Sequence, residues 1–256
     1  MVTRHKLFEN ILLKNVNQEG ESAMPWLTDR DLGAIQNYVD MTRARAELKG
    51  LRMQVETDPW AFHDFLQAQE HTHGVPTTHN PATTDVRPGN FFWLQLRHGS
   101  EIVACHAQRW VETRNLIELV RTHSVFMDLT PTLDHQRVDL YPEAAELFIA
   151  GRIGIGGGFW IRKDWRGRGL TEIFSRVGRA IALRQFSLEW YVAFFLNTDR
   201  RTRFGRQGAA FANSVPLLNG YFPPYGRQED IQLMYMSRSD ILRQISHEIR
   251  AQPEAA

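Results

Sequence analysis

At 256 residues, 43% of them hydrophobic and 23% charged, the chain has the composition of a globular protein with enough apolar material for a substantial core. Its 30 Lys and Arg against 29 Asp and Glu leave a net charge of +1, which excludes a bulk attraction to nucleic acid or to an anionic membrane, so any basic site must be local. Cys105 is the only cysteine, which excludes an intrachain disulfide and a cysteine-based zinc site. With no apolar run near the ~20 residues of a membrane span and no export signal read at the N-terminus, a cytoplasmic protein is expected.

In chain order, residues 1–25 hold a short apolar patch and then the polar run 17–22, which reads as a flexible arm. Thr28 followed by Asp31 is a helix-start pattern, and Leu32, Ile35, Tyr38, Val39 and Met41 recur at helical spacing, so a helix is expected from 28 to about 54. Asp58-Pro59 starts a second helix, with Asp58 as cap and proline at the first helical position. Residues 71–90 are a loop by composition, rich in Pro, Gly, Thr and Asn. Together these make residues 26–88 a helical N-terminal elaboration, followed by a core over 89–256.

Beyond the loop the hydrophobic period becomes two. Residues 91–96 and 101–107, joined by His98-Gly99-Ser100, read as a β-hairpin. A helix is expected over 142–150. The glycine-rich apolar stretch 151–161 is a strand running into the turn Arg166-Gly167-Arg168-Gly169. Ile173, Phe174, Val177, Ala180, Ile181 and Leu183 then continue at helical spacing, and 191–196 is an apolar run of buried-strand length. Strand, glycine turn, helix, strand is a βαβ-like unit. A basic helix over 198–207, a loop around 223–226, a strand over 231–237 and a terminal helix complete the chain.

The turn carries the first chemical signal. Two glycines let the backbone bend tightly and approach a ligand, while the next helix offers free N–H groups and its positive dipole end, a geometry that binds phosphate. Alone, the same glycines also serve as a steric solution for a tight strand-to-helix turn.

The segment Asp164-Trp165-Arg166-Gly167-Arg168-Gly169 resembles motif A of the GNAT (Gcn5-related N-acetyltransferase) superfamily: Gln or Arg, two residues, Gly, any residue, Gly or Ala, between the fourth strand and third helix. Both glycines match, as does Arg166, while Asp164 stands where the family has Gln or Arg. Downstream, Asn197, Arg200, Phe204 and Gly208 fall at the spacing of a second family pattern, with Arg and Phe in place of its Ala and Tyr. The resemblance covers residues 89–237. It implies a mixed, mostly antiparallel sheet of six or seven strands with helices on both faces. It also implies an acyl-CoA cosubstrate lying where the fourth and fifth strands splay, with acyl transfer to an amine acceptor, either a small molecule or a protein. On this pattern Arg166, Gly167, Arg168, Gly169, Leu170 and Thr171 hold the pyrophosphate. The backbone of Phe159, Trp160 and Ile161 lies beside the pantetheine, and Asn197 and Phe204 complete the cofactor side.

Direct transfer needs a base for the amine and a donor for the departing thiolate. The family's acid is a Tyr at the position of Phe204, and phenylalanine cannot donate. By residue type, Tyr191, Tyr221, Tyr225 and Tyr235 are the substitutes, with Tyr225 the nominated one, and His106 and Glu189 are the candidate bases. In the cluster His63, His71, His73 and His79, the His71-x-His73 pair can place two imidazoles on one side of an extended segment, but a proline-rich loop offers only His79 or Asp85 as a third ligand, so no metal is expected. The arginines at 200, 201, 203 and 206 suit a solvated face, a coenzyme phosphate or an acidic acyl carrier protein. A homodimer is compatible with the sequence. The alternatives are a carrier-dependent synthase of N-acyl amino acids or acyl-homoserine lactones, and a non-catalytic acyl-CoA-binding module.

Overall fold

The computed structural model describes residues 27–70, 74–127, 138–196, 210–222 and 227–251. The arm over 1–25, His71, His73, Asn197, Phe204, the arginine-rich helix and Tyr225 lie outside them.

Helix α1 (Asp29–Glu47) opens on a capping box: the Asp31 amide donates to Thr28 Oγ1 (3.2 Å) and the Thr28 amide to Asp31 Oδ2 (3.0 Å). The expected run to 54 is corrected. The helix stops at Glu47, Gly50 takes a left-handed φ of +71°, and β1 (Arg52–Glu56) pairs antiparallel with the strand over Phe91–His98. Met53 is buried in this strand and Val55 half-buried, an alternation too short to stand out from the preceding helical period. Helix α2 (Pro59–Gln67) begins at the Asp58 cap, whose Oδ1 accepts from the amides of Trp60 and Ala61.

Strands β2 (Phe91–His98) and β3 (Glu101–Thr113) form the expected hairpin. Two short helices follow, α3 (Leu116–Arg121) and α4 (Pro142–Ala145), the latter four residues long where 142–150 was expected. Then come β4 (Gly151–Ile161), α5 (Leu170–Phe186), β5 (Trp190–Leu196), β6 (Asn213–Phe222), β7 (Arg227–Ser237) and α6 (Arg238–Arg250). The seven strands form one sheet in the order β1-β2-β3-β4-β5-β7-β6. Its single parallel pair is β4 with β5; the other neighbours are antiparallel.

Helices cover both faces. On one, α1, α5 and α6 pack against each other and bury Ile35, Phe92, Leu94, Phe174, Leu183 and Tyr191. On the other, α2 packs on β2, α4 on β6, and the 3₁₀ turn Thr77–His79 on β3 and β4. The first described helix and strand are therefore part of the same sheet and core as the rest of the chain.

Candidate active site

β4 and β5 pair only from Ile153↔Trp190 to Gly156↔Ala193. Past that point they take different partners. β4 stays with β3 as far as Ile161↔Ala104, and β5 stays with β7 as far as Leu196↔Ile231. A bulge helps to part them, because His106 alone on β3 faces both Gly158 and Phe159 on β4, and Gly158 has a φ of +59°. The V between the strands opens into a cleft of about 920 Å³ that reaches both faces of the sheet.

The glycine turn stands at the mouth of this cleft. Gly167 and Gly169 have φ of +76° and +73°, values that L side chains adopt only under strain, so both glycines are conformationally required. A Cβ at either would meet nothing within 4 Å, so the space beside both is open. Gly169 is the N-cap of α5, and no side chain caps the helix, whose first amides are left for solvent or a ligand. The turn is held to the end of β4 by Arg166, whose Nε donates to the Ile161 carbonyl (3.0 Å). Arg168 lies over the Trp165 ring at 4.5 Å. Asp164, the departure from the family pattern, pairs with Arg162 (2.7 Å), whose hydrogen bond holds its carboxyl below the usual range; Arg162 also reaches Glu101 (2.6 Å). Asp164 thus braces the turn from outside the cleft.

Of the expected contacts, Phe159, Trp160, Ile161, Arg166, Gly167 and Thr171 line the cleft. Arg168, Gly169 and Leu170 do not: Arg168 stacks on Trp165, Gly169 turns the chain into α5, and Leu170 is 2% exposed and packs into the core. Residues 74–78 of the loop form part of the cleft wall.

The polar floor differs from the expectation. Tyr191 donates its hydroxyl to Gln108 Oε1 (2.7 Å), which turns the Gln108 amide toward His106 Nδ1 (3.0 Å). The same amide nitrogen lies 3.4 Å from His106 Nε2, and the imidazole also bonds the Phe174 backbone. Burial, with His79 and Arg179 nearby, lowers the His106 pKa to about 3. His106 is in the cleft wall, but an imidazole whose pKa is lowered to about 3 is a weak base. Burial also raises the Tyr191 pKa to about 12, so its phenol keeps its proton.

Glu189 is corrected outright: it is exposed at the start of β5, at the other end of the strand from the splay, and its carboxylate accepts from the Arg152 amide (3.3 Å). Tyr235 packs on Trp190 at that same end. His79 turns inward, wholly buried, its Nε2 donating to the Ile155 carbonyl (3.1 Å) and its Nδ1 accepting from Thr78 (2.7 Å). It ties the loop to β4 just before the splay.

Sequence reading missed Gln108 and Arg179. Arg179 is 1% exposed in the cleft wall. It donates to Gln244 Oε1 (2.7 Å) and lies over Phe211 at 4.4 Å, and burial lowers its pKa to about 10, so it stays charged at neutral pH. The available signal was its place between Gly178 and Ala180 in the apolar stripe of a helix, where a charge needs a reason.

No protein-family model and no curated protein matches the chain. Among solved structures it is similar to NAA60 of Arabidopsis thaliana in complex with acetyl-CoA, at TM-score 0.44 and 9% identity over 74% of this chain and 99% of that one. It is also similar to the Drosophila melanogaster polyamine N-acetyltransferase that forms N-acetylagmatine (TM-score 0.40, 12% identity, 72% and 99% covered). A third is a GNAT-family acetyltransferase from Streptococcus pneumoniae (TM-score 0.37, 12% identity, 73% and 99% covered). The chain itself forms a mixed α/β sheet with the order strand, glycine turn, helix and a parallel strand that parts from the first.

Proposed function

We propose that the protein is an acyl-CoA-dependent N-acyltransferase that moves an acyl group directly to an amine. The observation that carries this reading is the turn at 166–169, where two left-handed glycines and the uncapped start of α5 face open space beside the splay of β4 and β5. The residues fit the ligand. Backbone amides of the turn and of Thr171 would take the pyrophosphate, with Arg166 and Arg168 adding charge. The backbone of Phe159 to Ile161 would run beside the pantetheine.

The cosubstrate supplies an acyl group activated as a thioester. The amine nitrogen gains the acyl group as the C–S bond breaks, and the proton lost by the amine balances the one gained by sulfur. Tyr191 keeps its proton at neutral pH, and by turning its hydroxyl from Gln108 Oε1 it would donate to the developing thiolate from the cleft wall. Gln108 fixes the phenol, and His106 completes the chain as a neutral, positioning group. The acceptor enters from the side of the 74–78 loop.

Titration calorimetry with free coenzyme A and acetyl-CoA tests the reading. Arg168→Glu places a carboxylate at the phosphate turn and is expected to weaken both by more than about tenfold. Tyr191→Phe is expected to leave both affinities intact and to slow acyl transfer about tenfold or more in an amine screen. Wild-type protein that binds neither ligand would remove the assignment.

A further inference from the structure

We infer that the acyl group this cleft accepts is larger than acetyl: a medium-length apolar chain seated on the face of the sheet opposite the phosphate turn. The inference rests on the acyl-CoA reading and deepens it. The turn and α5 lie on the face whose core holds Leu170 and Phe174. The cleft continues between Gly157 and Phe194 to the far face, where its wall is Phe126, Phe194, Leu196, Phe222 and Ile231, all members of the other core cluster or packed against it.

These walls are made to hold an apolar object. Phe126 packs edge to face on Phe194 (4.9 Å) and on Phe222 (4.8 Å), so the three rings brace one another. Phe126, Phe222 and Ile231 are each at most 2% exposed, which fixes their positions, whereas Phe194 and Leu196 keep part of their surface toward the cleft. On β4 the space beside Gly156 is taken by the Tyr191 ring and that beside Gly157 by the His79 ring, and on β5 the residue opposite Gly156 is the small Ala193. Arg227, the charged residue lining this end, turns its Nε to Glu229 (2.6 Å). An acetyl group would leave the cleft-facing surface of Phe194 and Leu196 uncovered. A thioester held at the splay would instead direct a longer chain into it, continuous with the path of the pantetheine.

The test is calorimetric, with free coenzyme A and acetyl-, butyryl-, hexanoyl- and octanoyl-CoA below their micellar concentrations. Complete burial tightens binding by about fourfold per methylene, so hexanoyl- or octanoyl-CoA is expected to bind at least about tenfold tighter than acetyl-CoA. Phe126→Trp, which fills the chamber, is expected to abolish that gain and leave free coenzyme A unchanged. Phe194→Ala, a half-buried site that opens it, is expected to move the preference to longer chains. Equal affinity for acetyl- and octanoyl-CoA, with free coenzyme A bound normally, would overturn the inference and leave the acyl-CoA reading standing. A chamber whose filling weakens apolar amines and spares the acyl series would overturn it too, in favour of an apolar acceptor. Loss of free coenzyme A binding in the wild type removes both readings and is distinct from either result.

Discussion

His79 and His106 are buried as neutral imidazoles, and that choice has a thermodynamic sign. Burial is the first cause of both lowered pKa values, each about 3, with Arg109 the second cause at His79 and His79 itself at His106. Both folded values lie below the ordinary value near 6.5, so on acidification the unfolded chain takes up protons before the folded one does. The stabilisation is complete above that ordinary value and is lost as pH falls toward the folded pKa. Each histidine contributes a slope of about 1.4 kcal/mol per pH unit through that window. The urea midpoint is therefore expected to fall steeply between pH 6.5 and 5, and His106→Gln to remove about half of that dependence. A midpoint flat over this range would show that the imidazoles are not held neutral. None of this was legible from residue type alone. A histidine on a strand is equally consistent with surface, core and catalysis, and what separated these was its burial beside the Gln108 amide, two residues on along the same face of β3.

At the scale of elements, the turn at 166–169 was legible because glycine leaves a specific mark: the chain needs positive φ there, and few other residues tolerate it. The consequence is testable against a glycine elsewhere. Gly169→Ala and Gly33→Ala both add a methyl group to open space, with nothing within 4 Å of the new Cβ. At Gly169 the φ of +73° makes alanine strained by about 1–2 kcal/mol. At exposed Gly33 in α1 the same change is expected to stabilise by about 0.5–1 kcal/mol, because the backbone is ordinary helix. Opposite shifts in the denaturation midpoint check the assignment. If the turn holds phosphate, Gly169→Ala also weakens coenzyme A, since the methyl group occupies the space the ligand approaches. β1 and β6 escaped the reading for physical reasons. β1 is five residues long behind a helix of strong period. β6 contains Pro216, which argues against a central strand but is tolerated here because β6 is the edge of the sheet and its register slips between Pro216 and Leu218.

At the scale of the whole molecule, the boundary read near residue 88 falls inside one packed body. α1 lies on α5 and α6, with Gln36 bonded to Arg184 of α5, and α5 bears the turn at its other end. Compositional change marked the loop at 71–90, but composition does not reveal which segments bury a common surface. Ile35, wholly buried in α1 within the cluster shared with α5, is the residue to test. Ile35→Ala deletes packed atoms in a close-packed interior and is expected to cost about 2–5 kcal/mol. In one cooperative body that loss lowers the single unfolding transition for every probe, including tryptophans on β2 and β4 that α1 does not carry. In a detachable N-terminal module it would instead produce an early transition and leave the later one where it was. Free coenzyme A affinity, measured well below the transition, should be unchanged, because Ile35 does not line the cleft. Coincident transitions with intact binding would show that the N-terminal helix supports the turn through shared core stability.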